Sequence, residues 1–470
     1  MISNPCPRLL SAALGIFLIT APAASRAQVD DWTLANSIVK SIRTPMDIPL
    51  MSFEKKDFPI TDFGAVPDGK TDARPAIQTA IEKASSAGGA RVLIPKGVWF
   101  CKGPINLRSK VNLTISKGAT LLFSPDPADY LPTVLTRREG IELYGYSPLI
   151  YGYKVQDVAI TGFGIIDGNA QSGFHQWAEK QELDREKLLR QDDAAAPVKN
   201  RVYGEGTYLR PSMIQFIESE RILLEDVTLT NAPFRGIHLA STDHSTVRKI
   251  HVDSRRPGNE GINLESVTYV LVENSSFRTA ESPLSIKSTR DRDERQTRRP
   301  SAYIVVRNND MGGEKGILMA SQMAGGIRNV FFDNNTVRPG QYAMMFEADM
   351  ERGGAVEHVR VRNMTVESAK EHLIRFQLNF EHKEPFKGHL PAYRDFVFEN
   401  IKAGHVGMVL EAHAPDQVPL QNVLLRNISI KRAYQSFILE NVEVFQLENV
   451  QIGNQMVNGL LDWKEAPPPQ

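Results

Sequence analysis

From about residue 220 onward, hydrophobic and polar positions alternate in short runs, and the runs recur. The segments LLEDVTL, TVRKIHV, VLVENSSF, IVVRNNDM, VFFDNNTV, VRVRNMTV, FVFENIKA, VLLRNISI and FQLENVQI can be laid one over the next. Seven carry an asparagine in register (Asn274, Asn308, Asn334, Asn363, Asn400, Asn427 and Asn449), at spacings between 22 and 37 residues. A second alternating run follows in each unit, such as GINLES, PLSIKS, GILMAS and AMMFEA. Period-two alternation predicts strands, and two or three strands per unit with no helix between them exclude leucine-rich and helical repeats. A propeller blade needs about 40 to 45 residues, too many for this unit. The pattern therefore predicts an all-β fold, a right-handed parallel β-helix whose coils rest on one another about 4.8 Å apart. The in-register asparagines are expected to be scaffold, their amides stacking from turn to turn.

The segment FPITDFGAVPDGKTDARPAIQTAIEKASSAGGARVLIPKGVW has a helical period instead. Ile77, Ala80, Ile81 and Ala84 form its apolar stripe, with Thr71 or Asp72 as the expected cap. An open solenoid end needs a cover, so this helix is expected to cap the N-terminal end. Residues 172–206 are charge-rich and out of register, and read as an insertion or long loop.

The start of the chain, MISNPCPRLLSAALGIFLITAPAASRAQ, has a basic Arg8, an apolar run from Leu9 to Ala21, and Ser25-Arg26-Ala27 as a small-x-small cleavage site. The run is shorter than the roughly 18 residues a membrane span requires. A signal peptide over 1–27 is expected, and with it a secreted or periplasmic protein. Residues 28–57 then read as an N-terminal arm, 58–460 as one β-helix domain and 461–470 as a disordered tail. Cys6 would leave with the signal, so Cys101 alone remains and no intrachain disulfide is expected.

Composition adds little to this picture. Lys+Arg and Asp+Glu balance at 55 each over 470 residues, which gives no reason to expect nucleic acid or a membrane as partner. The expected state is a monomer, and neither cofactor nor metal is expected.

Stacking converts the repeat into a map of side chains. The second strands align as Ile237-His238-Leu239-Ala240, Ile262-Asn263-Leu264-Glu265, Leu284-Ser285-Ile286-Lys287, Ile317-Leu318-Met319-Ala320 and Met344-Met345-Phe346-Glu347. The first and third columns face the core. The second and fourth hold His238, Asn263, Glu265, Lys287 and Glu347, and are expected to face outward as too polar for a buried face. Two positions before each strand lie Glu260, Ser282 and Lys315, and three before lie Asn259, Glu281 and Glu314. Glu260, Glu281 and Glu314 thus fall on successive coils, with neighbouring Cα atoms roughly 6 Å apart. Like charges that close are expected to push at least one pKa upward, as a general acid needs. Paired carboxylates in an exported protein with a long groove suggest acid/base chemistry on a glycan, so the expected partner is a polysaccharide or oligosaccharide.

The stretches DFGAVPDGKTDARPAIQTAI, GFGIIDGNA, YLRPSMIQF, NAPFRGIHL, GNEGINLES, SIKS and ERGGAVEHVRVRNMTV resemble the polygalacturonases, glycoside hydrolase family 28, between about Phe58 and Gly453. The resemblance implies an inverting hydrolase using three aspartates, a histidine, and an Arg-x-Lys pair for the uronate carboxylate. Here the first aspartate corresponds to Glu260, and the general acid to Glu281. Its neighbour, which holds the attacking water, corresponds to Ser282. The histidine corresponds to Glu314 in Gly313-Glu314-Lys315, and Arg-x-Lys to Met345-Phe346-Glu347. His238 and Lys287 are retained. Glu281, Glu260 and Glu314 are accordingly the expected catalytic residues. His238, Asn259, Asn263, Ser282, Lys287, Lys315, Met345 and Glu347 are the expected substrate contacts.

Three readings follow: a hydrolase of altered specificity, a glycan-binding module without turnover, and a lyase. New reducing ends, binding alone, or an unsaturated product distinguish them. An acidic substrate would also need a cationic partner. KSTRDRDERQTRRP (287–300), with Lys287, Arg290, Arg292, Arg295, Arg298 and Arg299, reads either as a solvated loop or as a lip of the groove. Met311, Met319, Met323, Met344, Met345 and Met350 read as core filler mixed with an apolar sugar-facing patch.

Overall fold

The computed structural model describes residues 30–47, 56–290, 299–319, 321–350, 353–380 and 389–461. The expected signal peptide, Cys6, Arg292, Arg295, Arg298 and residues 462–470 lie outside the described residues. The strands form three parallel stacks wound into a β-helix. One stack (the groove stack) runs Ile150–Tyr153, Ile214–Ile217, Ile237–Ala240, Ile262–Glu265, Leu284–Lys287, Ile317–Met319 and Gly340–Asp349. Its register is the one the alternation implies: Ile237, Ile262, Leu284, Ile317 and Met344 face one another in turn, as do Leu239, Leu264, Ile286, Met319 and Phe346. These two columns fill the core, where Met311, Met319, Met323 and Met344 also lie.

Each of the seven ladder asparagines has a positive φ between 52° and 55°, the left-handed conformation that asparagine tolerates better than most residues. Their amides run along the solenoid: Asn334 Nδ2 donates to Asn308 Oδ1 at 2.8 Å, Asn427 to Asn400 at 3.2 Å and Asn449 to Asn427 at 2.9 Å.

Among the described residues, three α-helices decorate the solenoid. Helix α1, Asp31–Asp47, occupies part of the expected arm. Its Ala35, Ile38, Val39 and Ile42, spaced to share one helical face, cover Leu223, Leu271, Val305 and Phe331 on the outside of the coils. Ion pairs fix both ends: Asp31 with Arg360 (2.5 Å) and His358 (2.9 Å), and Arg43 with Glu273 (2.6 Å). Helix α2, Arg74–Ser86, buries Ala76 and sets Ile77, Ala80, Ile81 and Ala84 in the main core. Its cap position is held by Ala73, not by Thr71 or Asp72; Asp72 Oδ1 instead accepts from the Arg74 and Lys102 amides at 3.0 and 2.9 Å. The insertion contains helix α3, Glu182–Asp193. At the far end, Val442–Ile452 pairs antiparallel with Gln455–Leu461 and ends the parallel run.

The antiparallel hairpin Val134–Arg138/Ile141–Gly145, turning at Glu139 and Gly140 with φ of 51° and 81°, positions the site. Two left-handed residues in a two-residue turn match the twist of the flanking strands. The hairpin lies over the groove stack. Thr136 Oγ1 donates to Gln215 Oε1 at 2.6 Å, Tyr151 donates to Leu135 O at 2.6 Å, and Arg137 meets Glu265 at 2.8 Å. Arg185 of α3 pairs with Glu139 at 2.9 Å and so holds the insertion against the hairpin.

Candidate functional site

This cover corrects the expectation that the second and fourth columns face solvent. His238, Asn263 and Glu265 are fully buried, Lys287 is 4% exposed and Glu347 8%. Polar side chains tolerate burial best when paired, and most of these polar atoms are paired, Asn263 Oδ1 excepted. Gln215 Nε2 donates to His238 Nδ1 at 2.7 Å, and His238 Nε2 meets Glu265 Oε2 at 3.2 Å. Because Gln215 Oε1 accepts from Thr136, its amide nitrogen faces His238, which places the imidazole proton on Nε2. Burial pushes the His238 pKa down to about 4, overriding Glu265, so the ring is neutral. Glu265 is disfavoured by its own burial, but Arg137, His238 and Arg235 hold its pKa at about 2. The chain Thr136–Gln215–His238–Glu265–Arg137 thus ties the hairpin to the coils.

The turns that precede the groove strands stack as the alignment requires. Glu281 N donates to Asn259 O and Gly261 N to Ser282 O, both at 3.0 Å, and Glu314 N to Ala280 O at 3.4 Å. Gly313 allows this approach: a Cβ there would lie 2.1 Å from Glu281 O. Glu260, Glu281 and Glu314 therefore occupy three successive turns, in unlike surroundings. Glu260 lies low in the site. Its carboxylate accepts from Arg235 Nε at 3.0 Å and Asn263 Nδ2 at 2.8 Å, with Lys287 Nζ 3.9 Å away. Burial would raise its pKa, but Lys287, Arg235 and Asn263 together hold it well below the usual carboxylate range. The expected upward push does not appear at Glu260, because cations rather than its fellow carboxylates are its nearest charges. Lys287 shifts downward, since its burial outweighs the attraction of Glu260.

Glu281 is half-buried at the mouth, with Lys315 Nζ 3.1 Å from Oε2. Glu314 and Lys315 are exposed. Ser282 is 1% exposed and its hydroxyl finds no partner among the described residues. Asn259 is spent on structure: Nδ2 donates to Ala232 O and Ser254 Oγ, both at 2.7 Å, and Oδ1 accepts from Arg210 at 3.2 Å. Next along the second column, Leu318 and Met345 form a separate apolar cluster with Tyr342. Beyond Met345 the column continues to Arg375, which pairs with Glu411 at 2.8 Å. Of the 287–300 stretch, Lys287 and Arg290 are buried, and Gly140 of the hairpin abuts the Arg290 backbone.

The family model for "Glycosyl hydrolases family 28" matches residues 90–451. The chain belongs to that family. It is a polygalacturonase-like glycosidase, and a second model, "Rhamnogalacturonase A/epimerase, pectate lyase-like", matches residues 58–116. A probable polygalacturonase of Vitis vinifera is 25% identical over 80% of this chain and 74% of its own. The exo-poly-alpha-D-galacturonosidase of Dickeya chrysanthemi is 24% identical over 73% of this chain and 61% of its own. Among solved structures, the hyperthermoactive exopolygalacturonase of Thermotoga maritima superposes with a TM-score of 0.85 at 34% identity, covering 91% of this chain and 99% of that one.

Four arginines of this family 28 hydrolase escape a reading confined to the repeat: Arg137 and Arg138 on the hairpin, Arg210 and Arg235 on the coils. All are buried around the site. Arg210 and Arg235 sit inside the quoted stretches YLRPSMIQF and NAPFRGIHL. A cation beside an apolar run was their only local signal.

Proposed function

We propose that the protein is an exported hydrolase that cleaves a uronate-bearing pectic glycan with inversion, Glu281 acting as acid and Glu260 as base. The observation that carries this reading is the placement of two carboxylates on adjacent turns at different depths. Glu281 stands at the mouth, and Glu260 is kept ionised by Lys287 and Arg235. The Glu281 carboxylic acid gives its proton to the leaving oxygen as the C1–O bond breaks. Water adds to C1 from the other face and loses a proton to Glu260. Exchange with solvent then returns both groups to their starting states. A weak base suffices, because water bonded to an oxocarbenium-like carbon is strongly acidic. Lys315 pairs with the Glu281 carboxylate that the first step leaves. Glu314 lines the mouth, and Met345 with Leu318 offers an apolar seat where the family places cations. That seat supports altered specificity, with a less polar sugar beyond the uronate.

Oligogalacturonates and mixed uronate/neutral pectic oligomers, assayed for new reducing ends and for the initial anomer by proton NMR, test the proposal. Glu281→Gln and Glu260→Gln are each expected to lower kcat about 10²- to 10⁴-fold. A Glu281→Gln enzyme within threefold of wild type, or a retained anomer, would sink it. The 3.1 Å contact of Lys315 with Glu281 favours a second reading, a glycan-binding module. Binding without turnover on every oligomer would establish that one instead. Mass measurement of the exported chain is expected to find Gln28 as the first residue.

A further inference from the structure

Three guanidinium groups surround one ring. Arg138, Arg210 and Arg235 lie 4.3, 5.0 and 4.6 Å from the Phe234 centroid, and all three residues are at least 95% buried, with exposures of 5, 3 and 1%. Like charges gathered out of water repel, and burial worsens the repulsion. Carboxylates near them are too few and already shared. Glu260 serves Arg235 and Lys287, Glu139 serves Arg185 with Arg138 4.0 Å off, and Glu265 serves Arg137. Among the described residues, Arg210 meets only neutral oxygens: Gln181 Oε1 at 3.2 Å, Pro233 O at 3.3 Å, Pro257 O at 3.2 Å and Asn259 Oδ1 at 3.2 Å. Its Nη2 has no hydrogen-bond partner among them. Burial and the neighbouring Arg235 lower the Arg210 pKa to about 10, and no anion offsets them; burial brings Arg138 to about 9. Between hairpin and coils these side chains line a cavity of about 20 Å³, with Arg137, Tyr146 and Phe234. That is room for one or two atoms the size of a water, enough for the tip of a carboxylate.

We propose that this cavity, walled by Arg138, Arg210 and Arg235 on Phe234, is the seat of a sugar carboxylate, so that the glycan is recognised through a uronic acid bound beside Glu260 on the hairpin side. This rests on the hydrolase reading for its place in a reaction, and it names the anion partner that the Met345-Phe346-Glu347 strand does not supply. Guanidinium forks match a planar carboxylate, and the Phe234 ring keeps them oriented without neutralising them. Lys287 and Arg235 hold Glu260 as the inner anion and Glu139 faces Arg138, so the uncompensated charge belongs to Arg210.

The test separates binding from turnover by using the Glu281→Gln full-length chain. Calorimetry would measure Kd for an oligogalacturonate, its carboxyl-reduced neutral counterpart, and a sulfated galactose oligomer of equal length. Tightest binding is expected for the uronate, at least tenfold weaker in Arg210→Met, partly restored in Arg210→Lys, with the neutral oligomer unmoved by either change. Uronate affinity within twofold of the parent in Arg210→Met, or equal affinity for the neutral oligomer, would overturn the site. Preference for the sulfated oligomer would overturn the carboxylate assignment. Should Arg210→Met fail to fold by circular dichroism, Arg138→Met carries the same expectations. Absence of turnover by the unsubstituted chain on every glycan, with uronate binding intact in the Glu281→Gln chain, would strike the hydrolase reading and leave the seat standing.

Discussion

At the scale of single residues, the groove floor is decided by which charges lie within about 4 Å of each carboxylate. Lys287 is the largest electrostatic cause of the low Glu260 pKa, with Arg235 next. Removing that charge in Lys287→Met should raise the pKa of Glu260. If Glu260 is the base, the acid limb of kcat/KM then moves to higher pH by about one to three units. A pH–rate profile on any cleaved oligomer reads this directly, and an unmoved acid limb would remove Glu260 from the base role. Glu265 has a structural counterpart to this argument. Its folded pKa of about 2 lies below the ordinary carboxylate value of 4.5. The stabilisation it contributes is therefore complete above that ordinary value and is lost as pH falls toward 2. In Arg137→Met the buried carboxylate loses its ion pair, which costs about 3–5 kcal/mol at pH 7. At pH 3 the variant protonates Glu265 and escapes much of that penalty, so the gap between the two urea midpoints should narrow there. A gap independent of pH would mean that Arg137 acts by packing alone.

Elements differ in how much of their placement is local. The asparagine ladder is local: each amide needs only the coil beneath it and a left-handed turn. Asn400 donates to Asn363 and accepts from Asn427, at 3.3 and 3.2 Å, with φ of 54°. Asn400→Gly keeps the turn and loses the amide, whereas Asn400→Ala loses both. Alanine should therefore be less stable than glycine by about 1 kcal/mol, the cost of a left-handed conformation for a residue with a side chain. A urea titration that ranks them the other way would show that the turn is not under this constraint. Helix α1 depends on distant coils instead. Ile42 is fully buried against the outer face of the solenoid, yet the main core lies on the other side of those strands. Ile42→Asp should release α1 as a unit. Hydrogen exchange at 31–47 would accelerate while protection of the inner strands stays near wild type; loss of both would make α1 part of the solenoid's own cooperative unit.

At the scale of the whole molecule, the repeat made the architecture legible to the residue: the columns at Ile237 and Leu239 can be followed to Met344 and Phe346 without a slip. Alternation reports which side chains leave the core, but not what covers them afterwards. The hairpin over His238 and Glu265 begins at Val134, about a hundred residues earlier, so polar columns that looked solvent-facing are the floor of a closed, charge-paired layer. The same distance hid Arg137 and Arg138 from any reading of the repeat. The ends of the solenoid follow a different logic. A parallel stack must stop somewhere, and its last strand would present a row of unpaired backbone groups. Helix α2 closes one end. At the other, Gln455–Leu461 folds back antiparallel on Val442–Ile452, with Leu460 on the outside at 66% exposure. Ending the chain after Gly453 removes that strand but leaves every groove residue in place. The truncated protein should keep its uronate affinity and still gain a sticky edge, seen as concentration-dependent light scattering near neutral pH, where net charge is close to zero. A truncated chain that stays as dispersed as the full one would show that the 442–452 edge needs no partner, and that the hairpin serves something other than closure.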